Sequence, residues 1–342
     1  MSKIKVPFSR GVNFTKWFEF QFVNDIPFTK YTEQDFIDVK SLGADVVRLP
    51  ISMHFFTKSE TDYTIEPLLF KYLDTVCDWA EKHKIYLILD NHSFHPINPT
   101  DPNIDRILIP VWEQFAQRYK DRSEYILYEV LNEPHHIQDD LWGKIQGSVI
   151  DAIRKIDTKH TIIVGGTDFN SIAKLETIPV YKDENLIYTF HFYDPHLFTH
   201  QGASWNKPSL VPLKGLPFPY EKNRIPKTHE SFKGTWVEDC LNDYETACDP
   251  KKLCATLDKP LEFAKKRGVP IFCGEFGVYI PQSKSEDRAR WYKFICKEMI
   301  NRDFSYTCWD YFGGFGIFKT ENRGTFPQDL NVEIVNAMGF KL

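Results

Sequence analysis

Short apolar and β-branched runs recur along the chain, separated by stretches whose apolar positions fall every three or four residues. There are eight such runs: GVNF (11–14), ADVVRLP (44–50), IYLILDNH (85–92), YILYEVLNE (125–133), TIIVGGT (161–167), NLIYTFHFY (185–193), PIFCGEFG (270–277) and FSYTCWD (304–310). Several are nearly continuous in Val, Ile and Leu, which is the composition of parallel strands covered on both faces. Helix-period segments follow the first four runs at 33–43, 68–84, 106–120 and 141–157, and the sixth and seventh at 252–268 and 286–302. Strand–helix alternation on this scale predicts an α/β fold, a (β/α)₈ TIM barrel, as one domain over 1–342. An open doubly wound sheet is the rival. No G-x-G-x-x-G or G-x-x-x-x-G-K-[ST] follows any run, which removes the nucleotide-binding form of that rival.

One stretch breaks the alternation. Residues 194–252, between the sixth run and its helix, are rich in Pro, Gly, Trp, Tyr and Lys and have little periodicity. The stretch is expected to be a long loop inserted at the C-terminal face of the barrel, where active sites are built.

The polar residues at the run ends are large and ionisable: Arg48, His92, Asn132, Glu133, His191, Tyr193 and Glu275, with Trp309 on the last strand. Closing eight strands brings these ends round one mouth. Two glutamates without metal-ligand spacing suit acid/base or nucleophilic work, such as glycoside hydrolysis. Retention requires their carboxyl groups about 5–5.5 Å apart, inversion about 6.5–9.5 Å. One of the two is then expected to be protonated and the other ionised. Glu129, two positions of strand alternation deeper than Glu133, reads as a paired charge in the barrel core.

LNEP (131–134), HFYDP (191–195), GEFG (274–277) and WD (309–310) resemble glycoside hydrolase family 5, most closely its bacterial endo-β-1,4-glucanases. RGVNF (10–14), RLP (48–50) and FTHQGASW (198–205) extend the likeness over nearly the whole chain. The resemblance implies a retaining, metal-free hydrolase with Glu133 as acid/base and Glu275 as nucleophile. It implies support from Arg48, Asn132, His92, His191 and Tyr193 and a stacking platform at Trp309; further substrate contacts are expected at His200 and Trp205 in the long loop and at Asn13 and Glu19. It implies no cofactor and, as partner, a β-linked polysaccharide: β-1,4-glucan first, with mannan, mixed-linkage glucan or xyloglucan as alternatives. Ser93 stands where some relatives carry a second His, and 206–252 aligns with nothing in the family. Aromatic surface near the mouth is expected from Trp17, Phe55, Phe56, Trp236, Tyr279 and Phe315, and rim contacts from His95, His135 and His136.

Composition narrows the rest. Lys and Arg number 42 against 47 Asp and Glu, a net charge of −5, which argues against nucleic acid and anionic membranes as partners. No apolar run approaches the roughly 18–20 residues of a membrane span. The opening MSKIKVPFSR has no apolar core of a secretion signal, so the location reads as either cytoplasmic or exported with the signal removed. The oligomeric state is not read from the sequence. Of seven cysteines, Cys77, Cys273, Cys296 and Cys308 read as buried small hydrophobes. Cys240, Cys248 and Cys254 allow free thiols, one local disulfide or a metal site. Two other classes compete with the hydrolase: a metal-dependent barrel enzyme, which expects an H-x-H on an early strand, and a sugar-binding barrel without catalysis.

Overall fold

The eight runs are strands of one closed parallel barrel in the order β1 to β8, with β8 pairing back onto β1. The strands are β1 (Arg10–Asn13), β2 (Val46–Ile51), β3 (Tyr86–Asn91), β4 (Ile126–Glu129), β5 (Ile162–Gly165), β6 (Leu186–Phe192), β7 (Ile271–Phe276) and β8 (Ser305–Cys308). The structure is a computed structural model and describes residues 5–59, 61–93, 97–322 and 324–342. The fourth run continues to Glu133 in sequence, but its ladder stops at Glu129. The chain beyond still hydrogen-bonds its neighbours, Val130 N to Ile163 O and Asn132 N to Asn91 O, before Glu133 turns left-handed at φ 46°.

Helices lie where the 3.6 period places them, at Glu33–Ser41, Pro67–His83, Asp105–Tyr119, Asp139–Arg154, Pro250–Arg267 and Ser285–Asn301. Local chemistry sets their ends. Pro250 occupies the first turn, where its missing N–H costs nothing, and the Asp249 carboxylate accepts from Lys251 N at 3.0 Å. Gly268 ends the same helix at φ 69°. The crossover after β5 is only a 3₁₀ segment, Ile172–Thr177, and a short helix, Val332–Ala337, follows β8. No helix among the described residues is long and apolar enough to cross a membrane.

The stretch 194–252 departs from the expected irregular loop. It contains the helices Trp236–Asn242 and Tyr244–Ala247, and its Leu210, Leu213, Leu216, Phe218 and Val237 are buried in the main outer core. Those residues are scattered without a period, which is why the pattern does not reveal them. All seven cysteines are free thiols, and Cys254 Sγ donates to Glu298 at 3.4 Å.

The barrel interior is layered by the two-residue strand period. At the bottom Val46, Ile88, Leu127, Ile163, Ile187 and Phe272, plugged by Phe8, form a separate apolar cluster. Each such side chain contributes about 1.5–3 kcal/mol by leaving water. Two residues further along, the same strands present Arg48, Asp90, Glu129, Gly165, Thr189 and Gly274. The register slips by one between β6 and β7, so that Phe190 faces Cys273 but His191 faces Glu275. Gly274 is the extra residue. A Cβ there would lie 2.7 Å from Thr189 Oγ1, so only glycine fits, and its carbonyl accepts from Thr307 Oγ1 at 2.6 Å and Asn13 Nδ2 at 3.2 Å. The bulge thereby sets Glu275 level with His191.

Candidate active site

Arg48 organises the floor of the site. It is fully buried and binds Glu129 with two bonds, Nε–Oε2 at 2.7 Å and Nη2–Oε1 at 2.9 Å. Its other N–H groups reach Glu275 Oε1 at 2.7 Å, Asn13 Oδ1 at 3.0 Å and Asn132 Oδ1 at 2.8 Å, and Asp90 Oδ2 lies 3.0 Å away. Burial works against its charge, but Asp90, Glu129 and Glu275 outweigh burial and hold the guanidinium well above its ordinary pKa. Glu129 is the paired core charge that its depth implies.

Glu275 accepts from Arg48 on one oxygen and from the Tyr193 hydroxyl at 2.9 Å on the other. Burial raises its pKa, while His191 and Arg48 oppose the rise. Tyr193 is itself held well above its ordinary value by burial and by Glu275, so its hydroxyl stays a donor. Glu133 has weaker support: His191 Nδ1 at 2.7 Å from Oε1. Burial pushes its carboxyl up to about 7, against the pull of His92 and Arg48. Three carboxyl groups, Asp90, Glu129 and Glu275, contact the one guanidinium while Glu133 feels its charge only at longer range, and a proton belongs on the member with the fewest donors. Glu133 fits that description, and its side chain is 15% exposed against 6% for Glu275, so it faces the cleft more openly.

One oxygen each of Glu133 and Glu275 and one nitrogen of His191 lie within 4.8 Å of one another. This approach of one oxygen from each glutamate fits the about 5–5.5 Å carboxyl spacing of retention better than the about 6.5–9.5 Å of inversion. A divalent ion would find three donor atoms here. They are already spent on each other, and the Arg48 charge at 2.7 Å from Glu275 opposes a second cation.

Two histidines frame the pair in the same way. His92 Nδ1 lies 2.7 Å from Asp90 Oδ2 and its Nε2 3.4 Å from Asn132 Nδ2. His191 Nδ1 lies 2.7 Å from Glu133 and its Nε2 3.4 Å from Asn170 Nδ2. Burial lowers both rings, His191 to about 4, which makes them neutral at ordinary pH. Trp309 stacks near-parallel on His92 with centroids 5.4 Å apart.

Above this floor lies a cleft of about 1450 Å³. Its walls include Glu19, Phe55, His136, Phe169, His200, Trp205, Tyr279, Trp309 and Phe315. A model of the cellulase family, glycosyl hydrolase family 5, matches residues 9–313. The chain belongs to glycosyl hydrolase family 5. Endoglucanase C of Acetivibrio thermocellus is 27% identical over 340 residues, covering 96% of this chain and 98% of that one. Endoglucanase 3 of Fibrobacter succinogenes is 28% identical, and the match covers 91% of this chain but 50% of that longer protein. Among solved structures, Thermotoga maritima Cel5A in complex with mannotriose superposes with a TM-score of 0.80 at 28% identity, covering 97% of each chain.

On this family 5 barrel most of the sequence-predicted residues converge, with some corrections. Asn13 does not reach the cleft. It is fully buried, and its amide is spent on Gly274 O, Cys308 O and Arg48, so it braces the floor instead of contacting substrate. Arg48 and Asn132 likewise lie beneath the cleft. Trp17 and Phe56 are core residues, and Trp236 stands behind the cleft wall, donating to the carbonyl of the wall residue Lys207 at 2.8 Å. His135 is buried, with Nδ1 2.8 Å from Glu133 O, and only His136 of that pair lines the wall. His95 lies outside the described residues. Ser93 Oγ accepts from His54 N at 2.8 Å. Sequence reasoning missed Asp90 and Asn170. Asp90 had a signal, since it stands two residues before His92 on a predicted strand. Asn170 had none, because the turn after β5 has no period.

Proposed function

We propose that this protein hydrolyses β-1,4-glucan at internal bonds with retention at the anomeric carbon. The observation that carries the reading is the approach of Glu133 and Glu275 to within 4.8 Å with unequal surroundings. In the first step Glu275 attacks the anomeric carbon while Glu133 gives its proton to the glycosidic oxygen. The C–O bond breaks, the leaving sugar departs as an alcohol, and an ester joins the glycosyl unit to Glu275. Esterification removes the negative charge of Glu275, so Glu133 is left free to hold one. In the second step Glu133 takes a proton from water, which attacks the same carbon, and the ester bond breaks to restore the Glu275 carboxylate. Arg48 and Tyr193 hold that carboxylate as the ester forms and breaks.

Endo action is supported by the cleft, whose volume exceeds the roughly 300–1,000 Å³ of small-ligand sites and suits several sugar rings. The glucan reading is supported by relatives named endoglucanases. Mannan is a second reading, favoured by the structural neighbour solved with both mannotriose and cellobiose. The test is hydrolysis of carboxymethyl-cellulose and of β-mannan by the wild type, Glu133→Gln and Glu275→Gln. Viscosity should fall faster than reducing ends appear with the wild type, and both variants should be nearly inactive. Near wild-type turnover by either variant would overturn the assignment.

A further inference from the structure

The turn after β5 is built at a conformational cost that nothing in the barrel frame requires. Asp168, Phe169 and Asn170 all have left-handed backbones, at φ 56°, 61° and 53°. Asn and Asp visit this region more readily than most residues, but Phe does not, and three in succession persist only where the surroundings over-determine them. Here they do. Phe169 stacks on His135 with centroids 4.3 Å apart, and its N–H donates to Pro134 O at 3.3 Å. The turn is thereby fastened to the loop that carries Glu133. Its last residue, Asn170, is fully buried beside His191.

Space is reserved for that amide. A Cβ on Gly165 would stand 2.8 Å from Asn170 Oδ1. Oδ1 itself has no hydrogen-bond partner among the described residues. A buried carbonyl left unpaired is costly, so the amide is placed for its other end, Nδ2, which faces His191 Nε2 at 3.4 Å. An amide nitrogen can only donate, so Nε2 must be the acceptor and the ring proton must sit on Nδ1. The opposite amide orientation would require Nε2–H and would turn the bare Nδ1 lone pair onto Glu133 Oε1 at 2.7 Å, an arrangement that ties the Glu133 proton to Oε1 and sets two acceptors in contact each time Glu133 gives that proton away in the cycle.

We infer that Asn170 is a positioning residue that fixes His191 as the Nδ1–H tautomer, so that Glu133 Oε1 is occupied by the ring and the proton to be donated stays on Oε2. The inference rests on the acid/base role proposed for Glu133 and adds the device that aims its proton. Glu133, Glu275, Arg48, Glu129 and His92 are the charged or titratable groups acting on the ring. None of them bonds Nε2, so the tautomer falls to Asn170.

The informative variant is Asn170→Asp, which keeps the size and tolerates a left-handed backbone but offers only acceptors. A carboxylate there draws a proton to Nε2. The ring then either bares Nδ1 toward Glu133 or becomes cationic and holds Glu133 ionised, and acid catalysis falls in both cases. With the full chain, kcat/KM for phenyl β-cellobioside, whose poor leaving group needs the proton, should drop about 10- to 100-fold. For 2,4-dinitrophenyl β-cellobioside, which needs none, it should change less than about threefold. Equal losses on both substrates, or no loss on either, would overturn the inference. A second measurement needs no variant: nitrogen-15 shifts of His191 in the wild type should show a protonated Nδ1 and an unprotonated Nε2. The reverse tautomer would overturn the inference even if Asn170→Asp does not fold. A wild type that cleaves neither cellobioside would count against the proposed function instead, and the ring measurement would still decide the role of Asn170.

Discussion

The barrel interior holds two layers a single strand repeat apart, and they have opposite physics. The floor of Phe8, Val46, Ile88, Leu127, Ile163, Ile187 and Phe272 is apolar and closed, and it stabilises the fold without any polar group to satisfy. The layer above places Arg48 among Asp90, Glu129 and Glu275, where each charge loses its hydration and is kept only by its partners. The floor gives the strands a fixed platform. The ionic layer uses that rigidity to hold two glutamates in different protonation states a few ångströms apart. Stability and chemistry are thus segregated along the same strands, and substitutions in the two layers should fail differently.

The largest effect belongs to Glu275→Gln. Turnover on glucan should fall about 10³-fold or more, the scale of lost acid–base or nucleophilic function, with little change in melting temperature. Arg48→Met should strike both properties. Three carboxyl groups lose their counter-charge, which should cost about 3–5 kcal/mol in chemical denaturation and most of the activity besides. In the floor, Leu127→Ala should remove about 2–5 kcal/mol of stability while the folded molecules keep kcat within about twofold, because the cavity lies below the ionic layer. If Leu127→Ala cut kcat as deeply as Arg48→Met, the two layers would not be separable.

A pH titration sharpens the same contrast. Burial holds Glu133 and Asp90 at about 7, above their unfolded values of 4.5 and 3.8. The folded state therefore binds more protons, and these two groups add stability at low pH that is lost as the pH rises through about 7. The melting temperature should decline over that window, and kcat/KM on glucan should fall with it as Glu133 loses the proton it must donate. Asp90→Asn should flatten the decline in melting temperature, whereas Leu127→Ala should leave its slope unchanged. The smallest effect is at the rim. Trp205 is 38% exposed and meets Tyr279 edge-on at 5.0 Å, so Trp205→Ala should raise KM for the polymer a few-fold and leave kcat nearly intact.

Much of this was legible in the chain. The strand period exposes the barrel because parallel strands must be apolar on both faces, and the ionisable residues at their ends stand out against that background. Glu133, Glu275, Arg48 and His191 were readable for that reason. Asn13 was misplaced because alternation gives the side of a strand but not whether a side chain clears the floor. The slip at Gly274 is invisible in the pattern, as a bulge leaves no trace in hydrophobicity. The core of 194–252 and the turn carrying Asn170 escaped because irregular backbone is fixed by tertiary contacts that have no period.

The most direct test of the paired glutamates is the anomeric configuration of the first product, followed by proton NMR during early hydrolysis of a cello-oligosaccharide. If the paired glutamates act by double displacement, as their close approach suggests, the β-anomer should appear first and the α-anomer only by later mutarotation. Initial release of the α-anomer would contradict the assignment of Glu275 as nucleophile and of Glu133 as its acid/base partner.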